Sequence, residues 1–142
     1  MEDKNLWGTF NITDTRSPKS ILQEQAGFLS EATKNILKGE VSESTISQLT
    51  SAFIAKYAPI TKTPQIIKCT FYVVAPKMAN YKMALFEVTY SILEFYPITI
   101  NDLINGRDLE AQNKDEFIHH LTEVIQNESI RKIIQNLIIQ SV

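Results

Sequence analysis

The sequence predicts an α+β domain in which an N-terminal helix and two C-terminal helices pack on one face of an antiparallel sheet. Apolar residues recur every three or four positions after residue 17 and again after residue 113, the period of an amphipathic helix. Between these regions apolar and polar residues alternate, as they do in a half-buried strand. Because the strands are grouped rather than interleaved with helices, we expect an antiparallel sheet of about three to five strands.

The size and composition of the chain fit one globular domain over residues 1–142. Of its 142 residues, 44% are apolar and 21% are charged, as in an ordinary folded protein. Residues 1–16 place Trp7, Phe10 and Ile12 among polar residues and form a possible N-terminal arm. The arm either lies on the core, which burial of its aromatic side chains would favour, or extends as a mobile tail.

The first helix is predicted over residues 18–38. Ser17 is a good N-cap, and Pro18 loses no hydrogen bond at the first helical position. Lys38-Gly39 supplies a cation and a glycine of the kind that end helices. The predicted apolar stripe consists of Ile21, Leu22, Ala26, Leu29, Ala32 and Ile36.

Residues 40–60 fit two structures. β-Branched and aromatic residues in the second half of this segment favour a strand. A helix over residues 46–57 fits almost as well, and Thr63-Pro64 then interrupts any regular element. The helical stripe would consist of Ile46, Leu49, Phe53 and Ile54.

Residues 66–75 and 81–93 are predicted to be two strands of the sheet. Pro76 ends the first strand, and residues 77–80 turn the chain back. Pro97 interrupts the second, after which Ile98-Thr99-Ile100 predicts a short edge strand, where proline is tolerated. The predicted apolar faces are Cys69, Phe71, Val73 and Ala75, and Ala84, Phe86, Val88, Tyr90 and Ile92.

The chain is predicted to end in two short helices after a polar stretch, Asn101–Asn113, that contains the turn signal Asn105-Gly106. Asn113 caps a helix beginning at Lys114, and the last helix begins near Asn127 or Ser129. The two apolar stripes are Phe117, Ile118, Leu121, Val124 and Ile125, and Ile130, Ile133, Ile134, Leu137 and Ile138.

No motif in the sequence indicates catalysis, a cofactor or a metal centre. The four glycines are scattered, so no phosphate-binding loop is formed, and Cys69 lies in the middle of a predicted strand. His119 and His120 are neighbours on a helix and point about 100° apart. We therefore interpret Asp115, His119 and Glu123 as a solvated helix face and predict no bound metal.

The sequence predicts a cytoplasmic protein. The longest apolar stretches fall short of the roughly 20 residues that a membrane helix needs, and the first residues lack the features of a signal peptide. A single cysteine permits no intramolecular disulfide. The chain contains 19 Ile and 11 Lys against 3 Arg, a bias that resembles proteins of A/T-rich bacterial genomes.

Two surfaces are candidates for binding a partner. The outer face of the sheet is expected to carry tyrosines, which bury a large area and keep a polar group. Residues 102–128 hold seven acids and two bases, a net charge of −5. The candidate interaction residues are Tyr72, Tyr81, Tyr90, Asp108, Glu110, Asp115, Glu116 and Glu123.

The sequence favours a non-catalytic intracellular protein-interaction domain. An acidic immunity or antitoxin-like inhibitor that masks a basic toxin site would fit the size and charge. The alternative is a small enzyme or small-molecule-binding domain with a pocket between sheet and helices. The net charge of −2 disfavours nucleic acid as a partner. Ionisable groups converging on a cleft would favour the alternative, and an apolar surface would favour the first interpretation.

Overall fold

The structure, a computed structural model, describes residues 4–12, 16–46 and 66–142 and confirms the α+β class. The five strands pair antiparallel in the order of the sequence. The elements are α1 (Pro18–Ala32), β1 (Lys38–Ile46), β2 (Ile66–Ala75), β3 (Tyr81–Ser91), β4 (Ile98–Asp102), β5 (Arg107–Ala111), α2 (Lys114–Ile125) and α3 (Glu128–Gln140).

The helices cover one face of the sheet, here called the inner face. In β2, alternate residues are buried and half-buried, so the core lies on one side only. The opposite side, here called the outer face, carries Lys68, Thr70, Tyr72 and Val74 in the same strand. The predicted core face of β2 is confirmed, and its buried residues are Cys69, Phe71, Val73 and Ala75.

The first helix ends at Ala32, so its predicted extension to Lys38 is wrong. Lys34 and Asn35 take positive φ angles of 51° and 63°, which break the helix although the apolar spacing continues. Gly39 lies in β1 rather than after a helix. A Cβ at this position would lie 2.5 Å from the Cα of Ala26, so the glycine lets α1 approach the sheet.

The first part of residues 40–60, as far as Ile46, is a strand, since β1 pairs with β2 over its whole length. The β-branched and aromatic residues on which the strand prediction depended lie further along the chain, outside the described residues. The alternative helix over 46–57 and the break at Thr63-Pro64 fall on residues 47–65, outside the described part of the chain.

A β-bulge in β3 changes the face that its first half presents. Phe71 pairs with Phe86, but Tyr72 pairs with Ala84, so Leu85 is an extra residue. The prediction that Ala84 shares a face with Phe86 is therefore wrong, and Leu85 and Phe86 are both buried. The strand also ends at Ser91, two residues before the predicted end.

The segment predicted as an edge strand is internal. Residues Ile98–Asp102 lie between β3 and β5, and the edge is formed by Arg107–Ala111, within the stretch interpreted as a polar loop. The charged side chains of β5 conceal its alternation, because Arg107 lies on the same inward face as Leu109 and Ala111. The predicted turn at Asn105-Gly106 does join the two strands.

The two C-terminal helices are confirmed together with their caps. The side chain of Asn113 accepts a hydrogen bond of 2.9 Å from the backbone N–H of Glu116. Asn127, rather than Ser129, caps α3, since its side chain accepts from the N–H of Ser129 at 2.9 Å. Both helices turn their apolar stripes towards the inner face; the buried members are Phe117, Leu121, Val124, Ile130 and Leu137.

Candidate functional site

An apolar groove of about 350 Å³ lies between α1 and α3 on the inner face of the sheet. Its floor is formed by Phe71 and Phe86, whose rings stack with centroids 5.0 Å apart and planes 11° apart. The bulge adds Leu85 to the same floor, because the extra residue brings two consecutive side chains inwards.

The walls of the groove are apolar side chains from the two helices. Leu29 and Phe28 come from α1, and Ile134 and Ile138 come from α3. Phe28 is 50% exposed, so half of a phenyl ring is in contact with water at the opening. Apolar area that water reaches in a concave site is available for binding, because covering it is favourable.

The polar groups around the groove are few and do not form a reactive set. Gln25, Arg131 and Gln135 lie at its rim, and the hydroxyl of Thr33 is already engaged, accepting from the N–H of Leu37 at 3.2 Å. Arg131 is the single ionisable residue in the lining, and it makes no ion pair within the described ranges. The lining that the structure describes therefore offers a large apolar area for binding, with one cation at its edge.

The outer face brings together three of the predicted interaction residues. Tyr72 lies on β2, while Asp108 and Glu110 lie on the same face of β5, opposite Asn101 and Thr99 of β4. At about 4.8 Å between neighbouring strands, Tyr72 and Asp108 are roughly 16 Å apart.

Ion pairs already cover much of this outer face. The ammonium of Lys82 lies 4.2 Å from the centre of the Tyr72 ring and 3.0 Å from a carboxylate oxygen of Glu40. Lys68 and Glu87 pair at 3.1 Å on the neighbouring strands. Tyr72 is therefore partly masked by a cation–π contact, as expected of a solvated sheet face.

The other two predicted tyrosines lie on the inner face. Tyr90 is 4% exposed, and its hydroxyl lies 3.9 Å from the Sγ of Cys69. Burial raises the pKa of the Cys69 thiol and of the Tyr90 hydroxyl. Tyr81 pairs with Ala75 at the end of the inner face and is 47% exposed. The three tyrosines thus do not form one surface.

The acidic residues of 102–128 are divided between different parts of the fold. Asp102 is buried, and its carboxylate accepts from the backbone N–H groups of Ile104 and Asn105, both at 3.0 Å. Glu116 accepts from the N–H of Gln112 at 3.1 Å and so helps to cap α2.

Two further acids lie on the exposed side of α2 rather than on the sheet. Asp115 is exposed in the first turn, and Glu123 is paired with His119 at 2.9 Å. The sequence segment is acidic, but it does not form one continuous acidic face.

The side chains of His119, His120 and Glu123 lie close together, although two neighbouring helical histidines were expected to point apart. One ligand atom from each lies within 4.8 Å of the other two. Ligands of a tetrahedral zinc ion, at about 2.1 Å from the metal, would be about 3.4 Å apart. All three residues belong to one turn of α2 and His119 and Glu123 are exposed, so the geometry does not form a closed metal site.

Within residues 4–12, 16–46 and 66–142, no helix is both long enough and apolar enough to cross a membrane. Comparison of the chain with known protein families, curated proteins and solved structures finds no match.

Proposed function

We propose that the protein is a non-catalytic interaction domain of the cytoplasm that binds apolar side chains of a protein partner in the groove between α1 and α3. The observation that carries this proposal is an open apolar groove with a half-exposed phenylalanine at its mouth and, among the described residues that line it, a single ionisable side chain. This arrangement favours binding without reaction, since affinity comes mainly from covering apolar area.

A protein partner fits the groove better than a small molecule does. Sites for small ligands combine apolar walls with a few polar groups that fix the orientation of the ligand. Here the polar groups lie at the rim and the floor consists of hydrocarbon. A groove between two helices over a sheet is suited to a short segment that inserts one or two large apolar side chains.

The test compares two variants that each remove one exposed apolar side chain. Phe28→Gln alters the mouth of the groove, while Ile139→Gln alters a 62% exposed residue of α3 that does not line it. A partner captured by the wild-type protein from its native host should bind Phe28→Gln at least about tenfold more weakly, a loss of about 1.4 kcal/mol. Equal dissociation constants for the wild type and both variants would contradict the proposal.

A second candidate is a basic protein partner bound by the outer face, as an immunity or antitoxin-like inhibitor would bind a toxin. Asp108 and Glu110 favour it, because neither makes an ion pair within the described residues. Reversing both charges to Lys should slow association and weaken its salt dependence. Tyr72→Ala should speed dissociation if the ring is a contact. If neither variant changes binding, the outer face is not the site.

A further inference from the structure

The N-terminal arm, residues 4–12, presents apolar side chains that the rest of the described chain does not cover. Leu6 and Trp7 are 92% and 79% exposed, and Phe10 and Ile12 are exposed to a similar extent. Folded monomers seldom leave an aromatic-rich segment of this kind in water, because its burial is favourable.

A local turn holds the two most N-terminal of these side chains at its tip. The side chain of Asn5 accepts from the N–H of Trp7 at 3.0 Å and donates to the carbonyl oxygen of Gly8 at 3.1 Å. Gly8 takes a φ of 69°, which glycine adopts without strain. Leu6 and Trp7 are thus presented together, which lowers the entropy lost when they bind.

The groove offers what such a tip requires. Its floor of stacked phenylalanines and its aliphatic walls match an indole and an isobutyl side chain in chemistry. Arg131 lies at the rim without an ion pair in the described ranges, and a guanidinium is attracted to the face of an indole ring.

We infer that two copies of the chain exchange their N-terminal arms, with Leu6 and Trp7 of each copy seated in the α1–α3 groove of the other. This inference rests on the proposed function of the groove and identifies its partner as a second copy. Reciprocal exchange gives a closed dimer with twofold symmetry, in which both contacts are identical.

The length of the arm and the area it buries are sufficient. Trp7 lies eleven positions before Pro18, so the arm reaches up to about 36 Å from the start of α1. The groove residues of α1 lie only about 10–22 Å from Pro18 along the helix axis. When the neighbouring Phe10 is covered together with Trp7 in both arms, the contact buries roughly 900–1,500 Å² with the surfaces it meets, which is the size of a weak, reversible interface.

A second copy accounts for both exposed surfaces of the single chain. All residues of 4–12 are exposed while the groove stands open, although the arm is long enough to reach its own groove. In a dimer with exchanged arms, each chain taken by itself has these same two features, an uncovered arm and an open groove that complement each other.

Trp7 is the only tryptophan of the protein and reports directly on the exchange. Purified protein between about 1 and 200 μM should pass from monomer to dimer in sedimentation equilibrium, in the micromolar range expected of a small interface. The tryptophan emission should move to shorter wavelength over the same concentrations. Phe28→Gln and Leu6→Ser should each remove both changes, while Ile139→Gln should retain them.

Three results would overturn the inference. A monomer at every concentration with solvent-exposed emission means that no exchange occurs. A monomer whose emission is at short wavelength at every concentration means that the arm docks on its own chain. A dimer that persists in Phe28→Gln uses another surface. In each case the proposed function is tested separately. It still holds if a different captured protein binds Phe28→Gln more weakly than it binds Ile139→Gln.

Discussion

Gly39 and Gly27 show how the same residue type has opposite roles in neighbouring elements. A methyl group at Gly39 would collide with the backbone of Ala26, whereas one at Gly27 meets nothing within 4 Å. Gly39→Ala should lower the free energy of unfolding by roughly 1–3 kcal/mol, since the helix must move away from the sheet. Gly27→Ala should raise it by roughly 0.5–1 kcal/mol, because alanine favours the helix.

Urea titrations of the two variants beside the wild type measure both effects. Opposite signs are expected. A neutral Gly39→Ala would mean that α1 does not approach β1 as closely as described.

Asp102 makes the stability of the protein depend on pH. Burial alone would raise the pKa of this carboxyl, but hydrogen bonds from Asn105, Ile104 and Arg107 outweigh it and hold the pKa below its usual value. The stabilising contribution is therefore present above the unfolded pKa, near 3.9, and is lost as the pH falls through the lower folded value.

Asp102→Asn should lower the free energy of unfolding by about 1–3 kcal/mol at pH 7, since an amide NH2 replaces one carboxylate oxygen and leaves donors of Ile104, Asn105 or Arg107 without an acceptor. The difference from the wild type should shrink as the pH falls below about 4. Denaturant titrations at several pH values give this difference directly. A gap that stays constant down to pH 2 would show that the charge of Asp102 contributes nothing.

Within single helices and strands, the sequence predicts the features that depend on residues close by in the chain. The cap at Asn113 is confirmed because a cap needs only a side chain and the next turn. The end of α1 was missed because the apolar stripe continues to Ile36 beyond the two left-handed residues. The bulge at Leu85 was missed because it depends on pairing with a different strand.

The thermal stability of the protein should not depend on a metal ion bound to the exposed side of α2. His119, His120 and Glu123 offer three ligand atoms from one exposed stretch of α2, one fewer than the four ligands of a structural zinc site. Thermal melts with and without a strong chelator should therefore coincide. A melting temperature that falls by several degrees on chelation and recovers with zinc would show that these residues hold a structural ion.

For the whole molecule, the groove could not be predicted from sequence. It requires Phe28, Phe71, Leu85 and Ile134 to meet, and these residues belong to four separate elements. The sequence did predict the layer order that makes such a meeting possible. Tyr90 illustrates the same limit. The sequence placed it correctly on the face of β3 that carries Val88, but it could not show that this face is buried, so that Tyr90 is only 4% exposed.

Isoleucine methyl groups offer the most direct test that the groove is the recognition surface. Ile134 and Ile138 line it, Ile100 is buried in β4 between β3 and β5, and Ile66 lies on the outer face. NMR titration of methyl-labelled protein with its captured partner, or along the dilution series if the partner is a second copy, should shift Ile134 and Ile138 most. Shifts confined to Ile66 and its outer-face neighbours, with Ile134 and Ile138 unchanged, would contradict the proposed site.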